Sequence, residues 1–321
     1  MSLHVERGAN LLSVLRRNAL PISYSCNSGQ CGLCRCEVIE GEVLQQGHEL
    51  RDPAINFAHQ NSILACQTVL TEDCTIRLVE PEDVVVYPAQ ILRAVVMSID
   101  ALSPAVNRVR LRSARPFKFS VGQYAMVDLA PGLARPYSMA GKPDERDLEI
   151  HVALIPGGRA SSYVANALRA GDSVRLSGPL GTSFLRRSER GSMLCVGVGT
   201  GLAPVLSIVR EALHAGMRNA IDVYFAARSS AELYGVAAVR SLALRHRNVR
   251  TNIVALGDAR AADARKGPVT EMIAADHRDL SEWRGYFFGV PSAVEATTIL
   301  AKQLGMHSDR MHSEAFYPSG I

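Results

Sequence analysis

The cysteines of this chain restrict it more than any other feature. Cys26, Cys31 and Cys34 stand at C-x4-C-x2-C spacing in Cys26-Asn-Ser-Gly-Gln-Cys31-Gly-Leu-Cys34, and Cys66 follows later in Leu-Ala-Cys-Gln. Thiolates at this spacing can wrap two irons and their sulfides from one tight loop and one distant ligand. Gly29 and Gly32 suit such a loop, because backbone without a side chain can approach the sulfides closely. A zinc knot is the competing reading. It favours two C-x2-C pairs or Cys/His mixtures, and neither pattern is present. The spacing predicts a 2Fe–2S cluster on Cys26, Cys31, Cys34 and Cys66.

Of the seven cysteines, Cys36, Cys74 and Cys195 remain. An odd remainder without a signal peptide predicts a reducing interior, so a cytoplasmic location is expected. No apolar run reaches the roughly 18 residues that suggest a membrane span. The nearest, 193–209, is broken by glycines and reads as strand, loop and helix. A net charge of +4 gives no reason to expect a nucleic-acid partner. Its distribution says more: residues 1–86 carry a net −5 and the remainder +9. That asymmetry fits electrostatic docking between redox domains or partners, and equally an uneven solvated surface.

At 321 residues the chain has room for two or three domains. Near the start, residues 3–5 read as a short strand and 10–18 as a helix with Leu11, Leu12, Val14 and Leu15 on one face, closed by Pro21. The cysteine loop follows, then strands at 36–41, 66–70 and 75–79, and a proline-bounded linker at 81–88. From 88 to about 190 the pattern changes to short alternating runs at 89–99, 106–112, 124–129, 148–154 and 173–176, parted by Gly, Pro and Asp. This predicts an antiparallel barrel. Within it Arg108, Arg110 and Arg112 fall on one face, either a docking stripe or a solvated surface. From 191 onward apolar runs at 192–198, 221–227, 251–256 and 286–290 alternate with amphipathic stretches at 204–215 and 231–246. Such alternation predicts a parallel sheet wrapped by helices.

Two motifs carry chemistry. Gly197-Val-Gly199-Thr200-Gly201-Leu-Ala-Pro204 lies between an apolar run and a helix, with Pro204 in the first helical turn. Glycines there turn backbone N–H groups toward a phosphate, helped by the helix dipole. A tight structural turn would look similar. The strand before and helix after favour a nucleotide site. Arg135-Pro136-Tyr137-Ser138 offers a cation, a flat aromatic and a hydroxyl in one run, yet alone it reads equally as an ordinary strand.

Together these pieces resemble, over nearly the whole length, the NAD(P)H-dependent ferredoxin reductase components of multicomponent aromatic-ring dioxygenases. The resemblance rests on Tyr24-Ser-Cys26, Cys31-Gly-x-Cys34-Arg-Cys36, Gly122-Gln-Tyr124, Arg135-Pro-Tyr-Ser-Met-Ala-Gly141, Ser177-Gly-Pro-Leu-Gly181, the 197–204 loop with Val205-Leu-Ser-Ile-Val-Arg210, and Ala315-Phe-Tyr-Pro318. It implies a multidomain α+β and α/β fold in three parts. These are a plant-type 2Fe–2S ferredoxin (β-grasp) domain at 1–84, an antiparallel FAD-binding β-barrel at 88–190, and a parallel α/β NAD(P)-binding domain at 191–321. It implies that Arg135 meets the flavin pyrophosphate beside Pro136, that Tyr137 stacks on the isoalloxazine, and that Ser138 hydrogen-bonds near N5 as the catalytic contact. Gly158 and Ser161 would touch the flavin phosphates, and Phe316 would cover the other flavin face. Gly199, Thr200 and Gly201 would cradle the dinucleotide. Cys36 becomes a buried neighbour of the cluster.

The implied activity is electron transfer from NAD(P)H through FAD and the 2Fe–2S cluster to a Rieske-type ferredoxin, which feeds a terminal oxygenase. The chain is expected to be a monomer with no nucleic-acid or membrane partner. Arg228-Ser-Ser and Glu232, after the second parallel strand, bear on cofactor choice; NADH is favoured, with NADPH possible. The reductase of a diiron monooxygenase or deoxysugar dehydratase system shares the domain order. A redox-sensing or scaffold protein that has lost hydride transfer is the reading from another class. Three departures stand out. Phe288 occupies the place of a usual cysteine and would crowd the nicotinamide approach. Relatives carry about another dozen residues at the start that form the first ferredoxin strand; its absence would leave a sheet edge open, so a misassigned start is expected. Ala153-Leu154 replaces a basic pair near the flavin phosphates.

Overall fold

The computed structural model describes residues 2–18, 20, 22, 29, 34–45, 62–78, 87–187, 191–257 and 264–317. Contacts divide the chain into two compact units, one of residues 1–89 with 180–182, the other of 90–179 with 183–321.

In the smaller unit, helix α1 (Leu11–Arg17) buries Leu11, Leu12, Val14 and Leu15 and is followed by strands β1 (Arg35–Glu40), β2 (Leu44–Gln45), β3 (Ser62–Leu64), β4 (Thr68–Val69) and β5 (Thr75–Leu78). β1 lies between β3 and β5, antiparallel to both. Asn10 caps α1, its Oδ1 accepting from Ser13 N–H at 3.1 Å. The same side chain donates from Nδ2 to the carbonyl of Cys66 at 3.0 Å, tying the helix start to the Cys66 turn. Two expectations change here. Residues 3–5 are not in a strand, and the Cys66 stretch begins as a 3-10 turn, Ala65–Gln67, before β4. A turn suits this position, because it aims Cys66 back toward Cys34. The 81–88 linker falls mostly outside the described residues.

The larger unit holds two sheets. The first comprises β6 (Gln90–Ser103), β7 (Val106–Ser113), β8 (Tyr124–Asp128), β9 (Ala134–Ser138), β10 (Leu148–Ala153) and β11 (Ser173–Leu180), with helix α2 (Arg159–Asn166) between β10 and β11. Its order is β10-β7-β6-β11-β8-β9, and an antiparallel bridge between Met139 and Ile150 closes the ends into a barrel. The Arg135-Pro-Tyr-Ser run is therefore a strand. The three arginines of β7 lie on a partly exposed face, each in an ion pair. Arg108 pairs with Asp100 at 3.1 Å, Arg110 with Glu149 at 3.1 Å and Arg112 with Asp147 at 2.7 Å, an ion-paired ladder along the sheet.

The second sheet is wholly parallel: β12 (Ser192–Val198), β13 (Ile221–Ala227), β14 (Val249–Ala255), β15 (Arg265–Lys266), β16 (Trp283–Gly289) and β17 (Met311–Ala315), ordered β15-β14-β13-β12-β16-β17. Helices α3 (Leu202–His214), α4 (Val236–Arg245), α5 (Val269–Asp276) and α6 (Pro291–Gln303) cover it. Alternation along β12 assigns the faces. Met193 and Cys195 pack with residues of α3 and α4, while Leu194 and Val196 pack with residues of α5 and α6. The stretch 231–246 is not one helix. A 3-10 turn at Ser230–Glu232 precedes α4, which begins only after Gly235 at φ +64°, a left-handed backbone that interrupts helix. Among the described residues no helix is long and apolar enough to cross a membrane.

Candidate functional site

In the parallel sheet, β13 and β14 extend to one side of β12, and β16 and β17 to the other. The strand order therefore reverses between β12 and β16, and their carboxyl ends form the crevice where open α/β sheets bind ligands. The glycine loop stands there. Gly199 adopts φ +59°, and a Cβ on it would meet nothing within 4 Å, so the backbone faces open space. Gly201 is the opposite case: a Cβ would lie 2.1 Å from the carbonyl oxygen of Phe288, because the loop presses onto the end of β16. Thr200 lies between them in the 3-10 turn Gly199–Gly201, which leads into α3. One open and one closed glycine leave the loop a free backbone face braced from behind, a form suited to a phosphate.

β17 reaches the same crevice from the outer side. Its ladder continues past Ala315, where Phe316 N–H donates to the carbonyl of Gly289 at 2.7 Å and the half-buried ring packs against the core. Glu314, two residues earlier, is a register partner of Phe288. Its carboxyl is buried, Oε2 has no hydrogen-bond partner, and burial pushes it up to about 8. The motif reading missed Glu314. A glutamate in Met-His-Ser-Glu-Ala gives no burial signal; only the register with an apolar strand does. The Phe288 ring is fully enclosed, so it fills core space and does not line the crevice.

On the barrel, β9 carries the flavin candidates. Arg135 is half-buried and donates from Nη1 to the carbonyl of Ala134 at 2.8 Å. Pro136 pairs with Met126 in the β8–β9 ladder. Burial pushes the Tyr137 hydroxyl up to about 12, so it stays a neutral phenol. Ser138 is buried with an Oγ that has no partner. An unbonded buried hydroxyl costs about 1–3 kcal/mol, which fits a position kept for a polar ligand. Gly158 precedes α2, and Ser161 Oγ donates to the carbonyls of Ile155 and Gly158, each at 3.0 Å, which closes that loop on itself. The barrel strand and the crevice meet in one unit: Ser207 of α3 donates from Oγ to the carbonyl of Gly141 at 2.5 Å, three residues past Ser138.

In the smaller unit Cys34 and Cys66 come together. The Cys66 N–H donates to Cys34 Sγ at 3.4 Å, the Ala65 N–H to the Cys34 carbonyl at 2.8 Å, and Gln67 Nε2 reaches Cys66 Sγ at 3.6 Å. N–H donors aimed at sulfur fit thiolate ligands. A Cβ on Gly29, at φ +81°, would lie 2.9 Å from Gln67 Cγ, so Gly29 lies close to this turn. Cys26 and Cys31 lie outside the described residues. Cys36 is fully buried, its Sγ donating to the Cys34 carbonyl at 3.7 Å, and burial pushes its thiol up to about 12, which suits an inert neighbour. The side chains present fit a 2Fe–2S cluster, a flavin and a dinucleotide at these three places.

Comparison with known proteins gives the same three parts. Residues 1–71 match the 2Fe-2S iron-sulfur cluster binding domain family, residues 93–184 the oxidoreductase FAD-binding domain family, and residues 195–298 the oxidoreductase NAD-binding domain family. The chain is 47% identical over 321 residues to the ferredoxin–NAD(P)(+) reductase component of the naphthalene 1,2-dioxygenase/salicylate 5-hydroxylase systems of Ralstonia sp, covering 100% of this chain and 97% of that one. It is 45% identical over 314 residues to the reductase component of the naphthalene 1,2-dioxygenase system of Pseudomonas putida, covering 98% and 95%. Among solved structures, the Amycolatopsis cytochrome P450 reductase GcoB superposes with a TM-score of 0.82 at 31% identity, over 99% of this chain and 97% of that one. The ferredoxin reductase in carbazole 1,9a-dioxygenase gives 0.73 at 25% identity, over 98% and 94%. Near-full-length identity joined to all three domain families has one meaning: the chain belongs to the ferredoxin–NAD(P)+ reductase components of multicomponent oxygenase systems, oxidoreductases with a 2Fe–2S cluster, FAD and NAD(H).

Proposed function

We propose that this reductase takes electrons from NADH and delivers them, through FAD and the 2Fe–2S cluster, to a small Rieske-type ferredoxin that supplies an aromatic-ring-hydroxylating oxygenase. The observation that carries the flavin site is the unbonded, buried Ser138 hydroxyl on β9, in the same compact unit as the crevice. When bound, FAD supplies the conversion of a two-electron donor into single electrons, and the cluster supplies the one-electron exit. The chain's own residues bind and orient. Arg135 offers a cation to the flavin pyrophosphate, Pro136 holds the strand's φ, Tyr137 offers a neutral ring for stacking, and Ser138 presents its hydroxyl to the ring nitrogen. Gly158 and Ser161 present a closed loop to the flavin phosphates. Gly199, Thr200 and Gly201 would present backbone N–H groups to the dinucleotide, and Phe316 would cover the other flavin face. Cys26, Cys31, Cys34 and Cys66 hold the cluster.

We place the domain limits of this division of labour near 84, 88 and 190. NADH is the favoured donor because Arg228, the cation nearest the second strand's end, is already held by Glu232 through Nη2–Oε1 at 3.0 Å and Nε–Oε2 at 3.2 Å. A 2′-phosphate would meet that carboxylate, whereas a ribose diol can hydrogen-bond to it. The relatives' names support the aromatic reading, since two of them belong to naphthalene 1,2-dioxygenase systems. The test is an anaerobic absorption spectrum before and after NADH, followed by mixing with candidate acceptors. Bleaching of flavin and cluster bands, then reoxidation by a Rieske ferredoxin, is expected. Turnover only with a diiron hydroxylase would replace the acceptor, and an unbleached spectrum would replace hydride transfer with a sensing or scaffold role.

A further inference from the structure

His151 lies on β10 with its side chain buried at the join between the barrel and the parallel sheet. Its Nδ1 is 2.9 Å from the hydroxyl of Tyr234 and its Nε2 is 3.2 Å from Glu149 Oε1. Glu149 in turn accepts from Arg110 Nε at 3.1 Å. Burial opposes ionisation of Glu149, but the bonds from His151 and Arg110 overcome it and hold the carboxyl at about 2. An ionised carboxylate only accepts, so Nε2 carries the proton. Burial pushes the Tyr234 phenol upward, so it remains a neutral donor. With its proton on Nε2, the ring donates to Glu149 and leaves Nδ1 to accept from the Tyr234 hydroxyl.

Both ends of this chain touch the candidate site. On the barrel side, Ile150 bridges Met139 and the Ala140 N–H donates to the Glu149 carbonyl at 2.8 Å, so β10 braces the residues directly after Ser138. On the other side, Tyr234 closes the loop that follows β13 and packs edge-on against Phe225 at 5.7 Å. The next residue, Gly235, sits so close to Leu202 that a Cβ would meet its Cδ2 at 3.0 Å, and Leu202 directly follows the glycine loop. Few links therefore separate Ser138 from Gly201. Apolar side chains would bury this junction at least as well. A directional bond adds orientation, which apolar packing does not fix.

We propose that His151 is a positioning residue for hydride transfer: its bond to Tyr234 fixes the separation between the end of β9 and the glycine loop. The inference rests on the proposed reaction, because reacting atoms must come within roughly 3–3.5 Å and a misplacement of about 1 Å can cost a hundredfold.

Stopped-flow reduction of the holoenzyme by NADH tests it in His151→Phe, His151→Asn, Tyr234→Phe and the double variant His151→Phe/Tyr234→Phe. Tyr234→Phe keeps the ring packing and removes only the hydroxyl. A fall of about tenfold or more in the limiting rate is expected in both single Phe variants, with the NADH concentration at half-maximal rate little changed. The double variant is expected to be no slower than the singles, and His151→Asn, whose Oδ1 can accept from Tyr234, is expected to recover most of the rate. Dithionite should reduce flavin and cluster equally in all. Limiting rates within twofold of the parent in Tyr234→Phe, additive losses in the double variant, or no recovery in His151→Asn would each overturn the latch while leaving the reaction intact. A parent that NADH does not bleach would overturn the reaction itself, and the latch with it.

Discussion

Phe288 and Glu314 are register partners in the β16–β17 ladder, a fully enclosed ring beside a buried carboxyl whose Oε2 finds no hydrogen bond. The pair stands behind the crevice between β12 and β16, on the strands whose ends carry Gly289 and Phe316. Its two members have different costs to the protein, and each can be measured.

Glu314 gives a pH signature. Its carboxyl sits at about 8 in the fold against an ordinary 4.5, raised by burial. Between those values the native state holds a proton that the unfolded chain has released, so stability falls as pH rises through that window. Thermal melts at pH 5.5 and 8.5 should show the parent several degrees less stable at the higher pH. Glu314→Gln should abolish that difference; a parent stability flat across the window would mean that the carboxyl is ionised in the fold.

Phe288→Cys empties a site in the core. A loss of about 3 kcal/mol is expected, in the range for truncating a buried phenylalanine, read as a lower urea midpoint. The limiting rate of flavin reduction should stay the same or rise. A rate collapse in a variant that remains folded would give the ring a direct part in the reaction.

Ser138→Ala separates binding from stability. Because the Oγ has no partner in the protein alone, its removal should leave the flavin-free protein as stable as before or slightly more so. With flavin bound, the limiting reduction rate should fall about tenfold, the equivalent of one hydrogen bond of about 1.4 kcal/mol. A parental rate would remove Ser138 from the site.

The cysteines divide into two classes by absorption spectroscopy. Cys34→Ser or Cys66→Ser should lose the visible cluster bands while flavin binding persists. Cys36→Ala, with a buried thiol held at about 12, should keep them. Loss of the bands in the Cys36 variant alone would reassign the ligand set.

Gly201→Ala places a methyl 2.1 Å from the Phe288 carbonyl oxygen, and backbone cannot yield as a flexible side chain does. It should weaken NADH binding at least tenfold and lower the melting temperature. Gly132→Ala, open around its Cβ but left-handed at φ +71°, should cost only the local backbone strain of about 1 kcal/mol and leave NADH binding unchanged.

The sequence was most legible where a strand is buried on both faces. The runs at 192–198 and 221–227 match β12 and β13 end to end, because an unbroken apolar segment bounded by Gly or polar residues has few other uses. The glycine loop and Pro204 were legible for a similar reason, since their backbone demands are local. Legibility failed where tertiary contacts decide. Gly235 splits 231–246 through a left-handed φ that periodicity does not register. Helix α2, Arg-Ala-Ser-Ser-Tyr-Val-Ala-Asn, is too short and too polar to show its buried stripe of Ala160, Ser161 and Val164. β17 reads as polar because His312 and Glu314 are buried only through pairing with β16. His151 and Tyr234, 83 positions apart, share no sequence pattern at all.

The hydrogen bond from Ser207 to the Gly141 carbonyl has a kinetic meaning of its own. It ties the first turns of α3 to the barrel before any dinucleotide arrives. The freedom of the two sheets to rotate against each other is thus given up once, as the chain folds, and not at each encounter with NADH. What remains for every catalytic cycle is the smaller search by the nicotinamide ring for its place over the flavin.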